Sequence, residues 1–123
     1  MKKSILLLSL LLLPGCIGVS KTEIQSVSPI MSTSCSTSYQ AAYRCFLDQF
    51  PNDEITVKDI FSEEGLAELY ISAMQFSQQR YYYRISFRKK EEGSIANLQR
   101  SFWPHGRISP EEIWEVVLKC GCR

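Results

Sequence analysis

Four cysteines constrain this chain more than any other feature: Cys35 and Cys45 in its first half, and Cys120 and Cys122 at its end. Their compartment follows from the start of the chain. Met1-Lys2-Lys3-Ser4 is positively charged and leads into an apolar run, Ile5 to Leu13, interrupted by Ser9. That run is too short to cross a bilayer as a stable helix, which needs ~20 residues. A charged start, a short apolar core and a small residue before the cut mark a secretory signal over 1–15. In a small exported domain cysteines are read as a disulfide framework, and these four allow three pairings. Cys120 and Cys122 are too close to pair with each other, and a Cys35–Cys45 bond would strand them. The two ends of the domain are therefore expected to be stapled together. A zinc site would have enough sulfurs but lacks the Cys-x-x-Cys spacing of structural zinc, so no metal is expected.

Removing residues 1–15 leaves 108 and takes the formal charge from +1 to −1, because Lys2 and Lys3 go with the leader. That length suits one domain with a modest core. A near-neutral chain is poorly suited to neutralising dense phosphate charge, so no nucleic-acid partner is expected. Residues 16–36 are rich in Ser and Thr, contain Pro29 and lack sustained periodicity. They are expected to form a flexible tether spanning ~25 Å root-mean-square, with a single domain over 37–123.

Within that domain Tyr39, Ala42, Tyr43, Phe46, Leu47 and Phe50 form one apolar helical stripe over 37–50. Ser36, Thr37 or Ser38 can cap its start, and Pro51-Asn52-Asp53 ends it. Residues 54–61 are rich in β-branched and aromatic side chains, and 62–65 read as a turn. Residues 66–76 fit both periods; a strand is favoured because a hairpin through Gly65 would pair it with the preceding segment. Over 80–88, Tyr81, Tyr83, Ile85 and Phe87 alternate with Arg80, Tyr82, Arg84, Ser86 and Arg88. Residues 89–93 form a charged hairpin loop, and 95–103 return as a strand with Ala96, Leu98 and Phe102 inward. Ser109, Pro110 and Glu112 make a strong helix start, and Gly121 fits the C-terminal cap. The expected fold is α+β: an N-terminal helix, a four-stranded antiparallel meander and a C-terminal helix, both helices on one sheet face. Cys45 and Cys120 would then meet on the helix stripes, leaving Cys35 for Cys122.

No catalytic constellation is legible, and no cofactor is expected. The single histidine, His105, sits between Pro104 and Gly106 in a turn context, with no acid or nucleophile at a telling spacing. Glu63-Glu64, Glu91-Glu92 and Glu111-Glu112 fall in turns or in the first turn of a helix, where they are solvated or favoured by the helix dipole. The candidate binding surface is the polar strand face carrying Arg80, Tyr82, Arg84 and Arg88, since Arg and Tyr are enriched at binding hot spots. Its partner would be an envelope protein, a lipid headgroup or the cell wall. The same face would also serve as the solvated side of an antiparallel sheet.

The leader ends in Leu13-Pro14-Gly15-Cys16. This resembles the lipobox of bacterial lipoproteins, with Pro14 departing from the small or hydroxyl residue usual there. The resemblance implies that Cys16 becomes the first residue of the mature chain. It also implies that Cys16 carries a diacylglyceryl group together with an amide-linked fatty chain such as palmitate, enough for lasting membrane attachment. Ile17 stands where an inner-membrane-retained lipoprotein has Asp, which implies the periplasmic face of the outer membrane in a diderm cell. The function expected is that of a non-enzymatic binding or cell-envelope accessory lipoprotein. The alternative is a protective lipoprotein, of the immunity or phage-exclusion type, that blocks an incoming protein. An enzyme ranks third.

Overall fold

The computed structural model describes residues 20–50, 55–61, 63–102 and 107–123. The leader, Cys16 and His105 lie outside these residues. The elements run α1 (Lys21–Ser26), β1 (Met31–Cys35), α2 (Tyr39–Gln49), β2 (Ile55–Phe61), β3 (Leu66–Gln75), β4 (Gln78–Lys89), β5 (Ser94–Arg100) and α3 (Pro110–Lys119).

The helices form where stripe and cap agree. Ser38 accepts from Ala41 N at 3.1 Å and starts α2, whose buried face is Tyr39, Ala42, Tyr43 and Phe46. It stops at Phe50, which has left helical geometry (φ −123°, ψ 67°), as the residue before a proline does. Ser109 accepts from Glu112 N at 3.2 Å at the head of α3, and Ile113 and Val117 point inward. Both helices lie on one sheet face. Their stripes meet Ala67, Leu69, Ile71, Tyr83, Ile85, Phe87, Ala96 and Leu98 in the main core. The Phe46 and Phe87 rings sit 6.3 Å apart there, each contributing roughly 1.5–3 kcal/mol by burial.

The strands make one antiparallel sheet in the order β1-β5-β4-β3-β2. The α+β class is as expected, but the strand order is not the simple meander: β1 is a fifth strand added outside β5. It pairs from Met31↔Leu98 to Cys35↔Ser94. The expected tether over 16–36 is corrected accordingly. From Ser20 onward it is part of the domain, first as α1 and then as an edge strand. The C-terminus in turn closes on β1, with Arg123 N donating to Ser34 O at 2.8 Å and Ser36 N to Gly121 O at 2.9 Å. Gly93 lets the β4–β5 turn pass this corner. It has φ +78°, and a Cβ there would stand 2.0 Å from the Cys35 carbonyl oxygen.

Residues 66–75 are a strand, paired on both sides. The β3–β4 ladder shifts register between Ile71 and Ser72, so that Ile71 pairs with Tyr83 but Ser72 with Tyr81. Tyr82 is the extra residue of a β-bulge. It joins the main core, while Tyr81 crosses to the other face. Phe102, expected inward, is 87 % exposed because β5 ends at Arg100. The two-residue turn between β3 and β4 holds Phe76 (φ 50°) and Ser77 (φ 63°) in the left-handed region. That conformation costs about 1–2 kcal/mol per residue for side chains bulkier than glycine.

Disulfides Cys35–Cys122 and Cys45–Cys120 join residues 87 and 75 positions apart. This is the pairing the helix faces suggest. The outer bond clamps β1 to the C-terminus, and the inner one ties α2 to the end of α3.

Candidate functional site

The second sheet face is not open to solvent along its length. α1 crosses it, although six residues are too few for a stable isolated helix. Ser20 caps it through Glu23 N at 3.2 Å. Ile24 is fully buried against Tyr70 and Tyr81, whose rings meet edge to face at 5.5 Å. Lys21 Nζ lies 5.2 Å from the centre of the Tyr70 ring, in cation–π range.

Beneath α1 lies a polar cluster. Arg84 binds Glu68 Oε2 through two nitrogens, Nε at 2.7 Å and Nη2 at 2.6 Å. The same oxygen accepts from the Tyr70 hydroxyl at 3.2 Å. Arg84 Nη1 donates to Gln99 Oε1 at 2.5 Å. Gln99 Nε2 donates onward to the carbonyls of Gln25 (3.1 Å) and Val27 (2.7 Å), and Gln25 Nε2 donates to the Tyr70 hydroxyl at 2.7 Å. The side-chain exposures of Arg84 and Glu68 are 13 % and 3 %. A buried ion pair with this many hydrogen bonds has its charge compensated. Chemically it is a clasp that fastens α1 and the segment after it to β3, β4 and β5. Glu68 Oε2 is already committed to three donors.

The arginine face expected from the sequence is therefore divided. Arg84 belongs to this clasp, Tyr82 is buried in the opposite core by the bulge, Arg80 is half-buried, and Arg88 is exposed. The four do not form one stripe. Two changes cause this: one extra residue inverts the alternation below Tyr83, and α1 covers the face beyond it. The clasp residues Glu68, Tyr70, Gln25 and Gln99 were not singled out from the sequence. Glu68 carried a signal, since a carboxylate within the apolar run 65–73 must find a partner if that run is buried.

Two phenols respond to this packing. Burial pushes the Tyr70 hydroxyl above its ordinary value, against the hydrogen bond from Gln25. Burial does the same to Tyr83, against the positive charge of Arg100. Tyr83 donates to the Ile108 carbonyl at 2.7 Å, which ties the segment before α3 to β4. The folded state thus favours the neutral phenols. Their contribution is complete below the unfolded value of about 10 and is lost as pH rises through the higher folded values. Unfolding free energy is expected to fall more steeply above pH 10 in the native chain than in a Tyr70→Phe/Tyr83→Phe variant. Denaturant titrations at pH 8 to 11 measure this.

At the opposite end of the sheet a shallow cleft of about 440 Å³ lies between Ser38, Gln40, Lys89 and Glu91. Among the described residues no group of three or more His, Cys, Asp or Glu side chains is placed to hold a metal ion. No protein-family model, curated protein or solved structure matches the chain at a significant level.

Proposed function

We propose that this chain is a small lipid-anchored module of the bacterial cell envelope that acts by binding rather than by catalysis. The observation that carries the reading is the leader ending in Leu13-Pro14-Gly15-Cys16. The two disulfides support it, because such bonds persist in exported proteins and are rare in reducing compartments. The mature chain would begin at Cys16, hold the membrane through its acyl chains and present the domain on the periplasmic side of the outer membrane of a diderm cell. Partners would be envelope components met within reach of that anchor.

Labelling cells with radioactive palmitate and determining the mass of the amino-terminal peptide tests the reading. The expected product begins at an acylated Cys16, and Cys16→Ala abolishes both label and membrane retention. A product that begins at Met1 with an unmodified Cys16 overturns it.

A further inference from the structure

We infer that the tip of the β3–β4 hairpin is a second membrane contact, with Phe76 and Met74 entering the interfacial layer of a phospholipid bilayer. The inference rests on the reading of Cys16 as the acylated residue.

Phe76 is 91 % exposed and Met74 63 % exposed. Phe76 also occupies a left-handed position that two-residue hairpins usually give to Asn or Gly. The sequence thus places the most exposed aromatic side chain among the described residues where the backbone resists it and where no intramolecular burial repays it. Two side chains on a narrow turn offer far less than the ~800 Å² per partner of a standard protein interface. They suffice for a bilayer contact when the acyl chains already hold the domain at the surface, because the tip then adds only the apolar area it buries in the interface.

Position agrees as well. α1 packs on Tyr81, five residues along β4 from Phe76, or ~17 Å of strand. Cys16 precedes Ser20, the N-cap of α1, by four residues and so lies within ~14 Å of it along the chain. One bilayer surface can therefore take both the acyl chains and the tip.

The test uses the full-length protein, processed in cells and reconstituted into phosphatidylethanolamine–phosphatidylglycerol vesicles with and without bromine on the acyl chains. A Phe76→Trp reporter is compared with a Glu92→Trp reporter at the far end, the native tryptophans giving the same background in both. The expected result is about twofold quenching of the Phe76→Trp signal by brominated lipid, with the Glu92→Trp signal unchanged. Equal signals from both reporters, in protein whose amino-terminal peptide carries lipid, overturn the tip as a membrane contact and leave the anchor standing. Loss of a crosslink to an envelope protein on Phe76→Ser, without quenching, likewise overturns it in favour of a protein partner. An amino-terminal peptide without lipid overturns the anchor, and this inference with it.

Discussion

Removing both disulfides is expected to cost the fold about 7.5 kcal/mol, and removing either alone about 3 kcal/mol. The asymmetry comes from nesting. Whichever bond remains still closes a loop of 75 or 87 residues, contributing about 4.5 kcal/mol in the chain-entropy model. The second bond then closes only the short ring between the two, about a dozen residues, for roughly 3 kcal/mol. The double loss therefore exceeds the sum of the single losses by about 1.5 kcal/mol. Small domains have total stabilities of about 5–15 kcal/mol, so the fully reduced chain should be largely unfolded. Urea titrations of Cys35→Ala/Cys122→Ala, Cys45→Ala/Cys120→Ala and the quadruple variant measure this. Additive losses would show that nesting does not govern the effect.

The second large effect belongs to the clasp under α1. Glu68→Ala leaves Arg84 charged and only 13 % exposed, which is expected to cost about 3–5 kcal/mol. Replacing both partners with apolar groups of similar size, as in Glu68→Leu/Arg84→Met, should recover most of that loss. Buried pairs are costly to break but cheap to replace. A double-mutant cycle followed by denaturant unfolding separates the two terms, and a double variant as unstable as Glu68→Ala would refute the argument. Hydrogen exchange adds a local readout: amides of α1 should lose protection in Glu68→Ala before those of α2, since Gln99 no longer holds Gln25 and Val27 in place.

What was legible in the sequence was what local chemistry determines. α2 and α3 carry their caps and stripes within a dozen residues, and those stripes bring Cys45 to Cys120. What escaped depends on distant partners. β1 is a run of Ser and Thr whose strand identity comes from Ala96 and Leu98, more than sixty residues away. β3 resisted assignment because both its faces are covered, one by α2 and α3 and the other by α1. Leu66 to Ser72 are consequently buried without interruption, and a strand buried on both faces loses its alternation. The arginine face was misread for a related reason. Strict alternation from Arg80 to Arg88 holds only without a bulge, and Tyr82 breaks it. The exposed tip at Phe76 passed unnoticed because an aromatic in an apolar run looks like core until the turn is located.

The outer disulfide also decides how the domain answers a pull. Any load transmitted from the amino terminus reaches α1 first, then β1, one residue after another. Cys35 is bonded to Cys122, so tension between the two ends of the chain passes through that bond and bypasses the rest of the sheet. Only the stretch from Ser20 to Ser34 can peel away, giving at most ~50 Å of slack. Everything beyond lies behind a covalent stop, a shock absorber with a fixed travel.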